Sequence, residues 1–122
     1  MATHKLDKTE WRDFLDQATK SLVGKQAEIE VASLALGSQI EADWLPILGI
    51  AYDPKNDLVE VALENLDHLI TKPQSLSADI GPTGLVALEV IGADGAKQII
   101  RFRNPLELPA PAAARAPAGE RR

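Results

Sequence analysis

The spacing of apolar and polar positions changes near residue 27, and each spacing predicts a different element. Between residues 8 and 23 apolar residues recur every three or four positions, which is typical of an α-helix with one buried face. From Ala27 onward apolar and polar residues alternate, as they do in strands with one buried face. The pattern therefore predicts one N-terminal helix followed by a series of strands.

The predicted helix carries signals at both ends. Asp7 and Glu10 have the spacing of a capping box, while Leu6 and Trp11 have that of a hydrophobic staple. Gly24 suits the left-handed residue that ends a helix. We expect one face to pack on the sheet, formed by Trp11, Phe14, Leu15 and Leu22.

The densest apolar pattern runs through residues 39–70 and predicts the centre of an antiparallel sheet. Strands at 39–45 and 47–52 are separated by Pro46, and the second of them forms a hairpin with 58–63 around the loop 53–56. In the favoured register Ile50 lies opposite Val59, and Asn56 is the loop residue suited to a left-handed conformation.

Other stretches give less uniform signals. A slip in the alternation predicts a bulge at Ser33-Leu34, with Leu34 turned inward, in a strand that begins near residue 27. A last hairpin, 85–91 with 96–103, places Leu88 opposite Ile100 and Gly95 in a left-handed conformation. Residues 1–5 are expected to fray, 65–70 to form a helical turn or an edge segment, and 71–84 to be mostly loop with a short strand at 75–79.

These elements predict an α+β fold. The N-terminal helix packs on an antiparallel sheet of about five or six strands, which could curl into a small half-open barrel. A parallel sheet is disfavoured because the pattern shows no second crossover helix. The single globular domain is expected to span residues 1–108, and the Pro/Ala-rich residues 109–122 are expected to be a disordered tail.

Charge and composition narrow the function classes. The net charge is −5, and residues 26–96 carry twelve acidic and two basic side chains, so the sheet should repel nucleic acid. No apolar run is long enough to span a bilayer, so no membrane partner is expected. The sequence has no cysteine, which excludes disulfides, thiolate metal sites and a cysteine nucleophile, and the expected location is cytoplasmic.

No catalytic or metal-binding motif is found. The two histidines, His4 and His68, are far apart and lack a zinc-site spacing. The loop at Asp53–Asp57 superficially resembles a calcium loop but lacks its glycine and its distant glutamate. We therefore expect no metal, no cofactor and no assigned catalytic residue.

The remaining candidates favour a non-enzymatic binding or protein-interaction module. Its candidate binding residues are Trp44, Pro46, Tyr52 and His68, and its expected partner is another protein or a second copy of the chain. Trp44 is either a core residue or an interface anchor. The alternative function is a small-ligand enzyme that uses His68 as acid/base, with Tyr52 or Asp53 in support. A third hypothesis, mimicry of nucleic acid, requires carboxylates spaced like phosphates on one face.

The central stretch QIEADWLPILGIAYDPKND and the following DHLITKP resemble a family of short bacterial proteins known only as a domain of unknown function. The most specific segments are residues 39–41, 48–57 and 68–73, and the resemblance covers about residues 6–108. It implies a stand-alone bacterial cytosolic domain. It transfers no catalytic role to any residue.

Overall fold

The computed structural model describes residues 2–35 and 37–106, which form one α-helix, a 3₁₀ turn and eight strands. The helical elements are the 3₁₀ turn Lys8–Glu10 and helix α1 (Trp11–Thr19). The strands are β1 (Ala2–Lys5), β2 (Gln26–Ser33), β3 (Gly37–Asp53), β4 (Leu58–Leu63), β5 (Leu66–Thr71), β6 (Ser75–Gly81), β7 (Gly84–Ile91) and β8 (Lys97–Leu106).

The strands form one antiparallel sheet in the order β1-β6-β7-β8-β2-β3-β4-β5. The sheet is not closed, because β1 and β5 are its two edges. The prediction of a helix on an antiparallel sheet is confirmed, but the expected strand count of about five or six is too low. Two strands account for the difference. Residues 1–5 were expected to fray but β1 pairs with β6, and the undecided stretch at 65–70 is the edge strand β5.

Strand β3 is one bent strand of 17 residues rather than the two strands predicted on either side of Pro46. Its first half pairs with β2 and its second half pairs with β4. Pro46 remains in the ladder opposite Gln26, so it does not end the strand. Trp44 has φ 53, and this left-handed residue allows β3 to change direction between its two partners.

Helix α1 packs against β3. The helical segment begins at Lys8 as predicted, but its first turn is the 3₁₀ turn and α1 itself begins at Trp11. The side chain and backbone of Asp7 and Glu10 form the capping box, and Trp11 donates its ring N–H to the carbonyl of Leu6 at 3.1 Å. The helix ends at Thr19, earlier than predicted, and the chain then turns through Gly24 at φ 78. Its inward residues Trp11, Leu15 and Ala18 are buried, as is Leu22 beyond its end, and Phe14 packs partly buried against them.

The predicted register of the β3–β4 hairpin is wrong by two residues. Ile50 lies opposite Val61 instead of Val59, and Asp57, with φ 51, takes the left-handed position assigned to Asn56. Both registers put apolar residues opposite each other, so the pattern could not separate them. A bulge between Ile47 and Gly49 also turns Leu48 outward, where it is 64% exposed.

Of two other local predictions, the last hairpin is confirmed and the bulge in β2 is wrong. The last hairpin is confirmed in pairing Leu88 with Ile100 and in placing Gly95 at φ 83. The bulge predicted at Ser33-Leu34 is wrong. Strand β2 ends at Ser33, opposite Gly37, and the register shifts of the β2–β3 ladder lie around Ile29, with their extra residues in β3. Leu34, predicted to turn inward, is fully exposed in the turn. The predicted tail 109–122 lies outside the described residues. Within residues 2–35 and 37–106 no helix is long and apolar enough to cross a membrane.

Candidate functional site

A shallow groove of about 440 Å³ lies between α1 and the second half of β3 with its neighbour β4. We call it the α1–β3 groove. It is lined by Asp16, Thr19, Lys20, Gly49, Ile50, Ala51, Glu60 and Ala62.

The floor of the α1–β3 groove is made of residues with little or no side chain. Ile50 is buried on the inner face, so its neighbours Gly49 and Ala51 face outward. Gly49 lies opposite Ala62 on β4, which continues the same face. A Cβ atom added at Gly49 would first meet the Thr19 side chain of the helix, at 3.9 Å, so the glycine leaves open space at this end of the floor.

The surroundings of the groove combine negative charge with exposed apolar side chains. Asp16 and Glu60 line it, with Lys20 as the one cation among its lining residues. Leu69 lies opposite Glu60 on β5 and is 52% exposed, and Asp67 lies opposite Ala62. This surface can therefore contact apolar groups while attracting cations.

Tyr52, predicted as a binding residue, follows the groove residue Ala51 in β3 but lies on the opposite, buried face of the strand, in a separate cluster. Its hydroxyl donates to Asp57 at 2.7 Å, and its ring meets that of Trp11 edge-on with centroids 5.1 Å apart. Lys8 forms an ion pair with Asp57 at 3.2 Å and lies 5.5 Å from the Trp11 ring. The cluster ties the beginning of the helix to the β3–β4 hairpin.

The cluster shifts the pKa of its members in opposite directions. Burial, and then the hydrogen bond to Asp57, raises the pKa of Tyr52. The hydroxyl of Tyr52, and then the ammonium of Lys8, lowers the pKa of Asp57. Tyr52 thus stays protonated and Asp57 ionised at neutral pH. Since Tyr52 is only 6% exposed and its hydroxyl is engaged, its contacts are those of a core residue.

Trp44 and Pro46 lie together at the bend of β3, and both are half-buried. The guanidinium of Arg103 lies 5.7 Å from the Trp44 ring and also donates to Gln26 at 2.9 Å. Trp44 is outside the main buried cluster, and its ring packs partly under Arg103. The bend therefore exposes part of an aromatic ring, but it does not adjoin Tyr52.

Both carboxylates of β2 pair with the same cation, which balances one of their two negative charges. Arg101 on β8 contacts Glu28 at 3.1 Å and Glu30 at 2.7 Å. A hydrogen bond from the Ser38 hydroxyl, and then one from Arg101, lowers the pKa of Glu30. This pairing weakens the support for phosphate mimicry on that face.

His68 is half-buried on β5 and points toward the inner face of the sheet. Its Nε2 is in hydrogen-bond contact with the side-chain oxygen of Gln98, a buried residue of β8. His68 does not line the α1–β3 groove. Within the part of the chain that the structure describes, no group of three or more His, Asp or Glu side chains is placed to hold a metal ion.

Similarity to known proteins extends over most of the chain. The model of the family described as "Family of unknown function (DUF5335)" matches residues 2–111. The chain belongs to this family. The resemblance inferred from the residues is thereby confirmed. An uncharacterized protein of the bacterium Aquifex aeolicus (strain VF5) is 32% identical over 110 residues, covering 89% of this chain and 99% of that protein. No solved structure matches the chain.

All residues of the α1–β3 groove lie within the segment that matches this family. The sequence predictions missed the groove, because its floor is defined by side chains that are small. Gly49, Ala51 and Ala62 carry no chemical signal. Both registers place them on one face, but only the observed register places Gly49 directly opposite Ala62. A usable signal was the run Gly-Ile-Ala in β3, where a buried residue is flanked by two small outward positions.

Proposed function

We propose that the protein is a non-enzymatic protein-interaction module whose α1–β3 groove binds an extended partner segment that is apolar and positively charged. The observation that carries this proposal is the combination of a floor of small residues with carboxylates on two sides, Asp16 and Glu60. A floor without bulky side chains admits an extended backbone and its short side chains. The carboxylates attract Lys or Arg side chains of the same segment.

The exposed leucines extend this surface. Leu69 borders the groove through its pairing with Glu60, and Leu48 directly precedes Gly49. Exposed apolar side chains grouped beside a groove are typical of protein-binding surfaces, whereas single exposed leucines are common everywhere. The proposed partner segment would cover Leu69 while its cations face the two carboxylates.

An enzyme that uses His68 as acid/base has less support. The Nε2 atom of His68 already contacts Gln98, and the ring lies away from the groove. A general base must reach a proton of the substrate, and a bond to a buried amide restricts the ring. The engaged hydroxyl of Tyr52 offers no free partner for it.

The proposal also includes the curvature of the sheet and the location of the protein. Only three residues, 72–74, join β5 to β6, and the contact of His68 with Gln98 draws the edge strand β5 toward β8. These features support a sheet curled into a half-open barrel. The absence of cysteine and the acidic body support a cytoplasmic location.

The proposal is tested by selecting peptides from a random peptide library on the full chain and mapping their binding by NMR. We expect the selected peptides to be apolar and basic, and to shift the amide signals of Gly49, Ala51 and Ala62. Glu60→Lys should weaken their binding about tenfold or more, because it places a cation where the peptide's own cation binds. Glu41→Lys, on the exposed first half of β3, is the matched control and should leave binding unchanged.

Two results would contradict the proposal. Selected peptides that shift signals around Trp44 and Arg103 instead would place the interaction site at the bend of β3. Failure to select any peptide that shifts groove signals, from a protein that remains folded by its amide spectrum, would remove the interaction function from this groove.

A further inference from the structure

We propose that residues 107–122 of the same chain occupy the α1–β3 groove and must leave it before a partner segment binds. This inference rests on the proposed function, because it assigns a regulatory occupant to the same groove. It concerns one occupant only, the chain's own C-terminal segment, bound in cis.

The composition of this segment matches the groove. Its sequence, ELPAPAAARAPAGERR, consists mainly of alanine and proline and carries three arginines and two glutamates, so its side chains have a net charge of +1. Alanine and proline have short side chains that suit a floor of Gly49, Ala51 and Ala62. Arginine is the residue best able to form two hydrogen bonds to a carboxylate such as Asp16 or Glu60.

The direction of β8 brings the segment to the same end of the sheet as the groove. Both β8 and β3 pair antiparallel with β2, so β8 and β3 run in the same direction. Phe102 of β8 lies opposite Ala27 of β2, which in turn lies opposite Leu45 of β3, four residues before Gly49. The chain therefore leaves β8 about two strand spacings, or about 10 Å, from the strand that forms the floor.

The segment is long enough to reach and follow the groove. Sixteen residues follow Leu106, and an extended chain of that length spans up to about 55 Å. Because the segment is tethered, its effective concentration at the groove is about 1 mM. A weak intrinsic affinity, with a Kd of about 0.1 mM, is then enough to keep the groove mostly occupied.

A second copy of the same face fits the groove less well. A two-fold contact would bring Asp16, Glu60 and Asp67 of one chain against the same carboxylates of the other, with Lys20 as the only cation in the groove lining. Like charges brought together in this way oppose association. The side chains of residues 107–122 have a net charge of the opposite sign, +1, and Arg121 and Arg122 are adjacent.

The test uses the full chain with a nitroxide label. Since the sequence has no cysteine, Ala113→Cys gives one labelling site within the segment. We expect the label to broaden the amide signals of Gly49, Ala51 and Ala62 and to leave those of Asp94 and Gly95, at the opposite end of β8, sharp. Replacing Arg115, Arg121 and Arg122 by Glu in the labelled chain should abolish the broadening.

A matched control changes the net charge equally at exposed positions elsewhere, with Lys5→Glu, Lys55→Glu and Lys72→Glu. This control should keep the broadening at the groove. Equal broadening at the groove and at Gly95, or broadening that survives the arginine replacements, would overturn the proposal. A mixing experiment tests for binding in trans. If an isotope-labelled chain without nitroxide is mixed with a nitroxide-labelled chain and its groove signals broaden, the segment binds another molecule, and the proposal is overturned.

Peptide binding separates this inference from the proposed function. Peptides selected on the groove should bind the arginine-replaced chain about tenfold more tightly than the unmodified chain, the factor expected from a competing tail of the stated affinity. Unchanged affinity would overturn the regulatory role while leaving the interaction function intact. Broadening at the groove without any groove-binding peptide would support the tail contact and contradict the interaction function.

Discussion

The hydroxyl of Thr19 and the backbone of Ile50 exchange two hydrogen bonds. The hydroxyl donates to the carbonyl oxygen at 2.7 Å and accepts from the N–H at 3.0 Å. At Ile50 strand β3 pairs only with β4, because β2 reaches no further than Pro46. The side chain of Thr19 thus replaces a missing strand neighbour and attaches the end of α1 to the exposed side of β3.

Thr19→Val is therefore expected to destabilise the fold by about 2 kcal/mol, although valine has nearly the same shape. The change leaves an N–H and a carbonyl of Ile50 without their partner in a partly buried place. Thr19→Ser keeps the hydroxyl and should lose much less. Urea unfolding followed by circular dichroism measures both, and equal losses for valine and serine would show that the two bonds contribute little.

The cluster around Asp57 predicts a specific dependence of stability on pH. The hydroxyl of Tyr52 is the main cause of the lowered pKa of Asp57, with Lys8 next. A lowered pKa in the folded state stabilises the fold above the ordinary value of 3.8, and this stabilisation is lost as the pH falls through the folded-state pKa.

Tyr52→Phe should accordingly lower stability at pH 7 by about 1 kcal/mol and reduce the further loss between pH 7 and pH 3. Urea midpoints of both proteins at the two pH values check this. The contributions of other carboxylates, such as Asp53 and Glu30, are common to both proteins and cancel in the comparison. Parallel losses on acidification would mean that Asp57 titrates independently of Tyr52.

The left-handed conformation of Trp44 predicts an inverted order of substitutions. In an ordinary strand position alanine is more stable than glycine. At φ 53 the order should reverse, and Trp44→Gly should be more stable than Trp44→Ala by about 1 kcal/mol. Both variants lose the ring beneath Arg103, so the difference reports on the backbone alone. Thermal unfolding measures it, and a more stable alanine variant would refute the argument.

Gly49 offers a change that should stabilise the protein while narrowing the groove. An added methyl group would meet Thr19 at 3.9 Å, an ordinary contact, and Gly49 has no positive φ. Gly49→Ala is therefore expected to raise the free energy of unfolding by about 0.5 kcal/mol through the lower entropy of the unfolded chain. A marked loss of stability in urea unfolding would indicate a closer approach of α1 than the geometry shows.

The sequence predicted the elements whose signals are local and missed those set by distant partners. The capping box of Asp7 and Glu10 and the left-handed Gly95 depend on a few neighbouring residues, and both are confirmed. Strand β1 has no apolar pattern, and its pairing with β6 is made by backbone groups across about 75 residues of chain.

The candidate site also depends on contacts between distant parts of the chain, and the sequence predicts it less well than the fold. The alternation of apolar and polar residues predicts that Leu48 points inward. In the structure a bulge between Ile47 and Gly49 turns it outward. The pairing of Gly49 with Ala62 depends on the register of β3 with β4, and two apolar alignments satisfy the pattern equally well. Trp44, Pro46, Tyr52 and His68 stand out in the sequence by their chemical character, but the structure distributes them over three separate places.

The shared strand β3 also determines how the protein can open. Its first half completes the ladder with β2 and its second half the ladder with β4, so neither ladder can separate without disturbing the same continuous backbone. Amides in both halves, on either side of Trp44, should then exchange with solvent deuterium through a single cooperative opening. The bend at Trp44 therefore does not divide the sheet. It joins the ladder with β2 and the ladder with β4 into one folding unit.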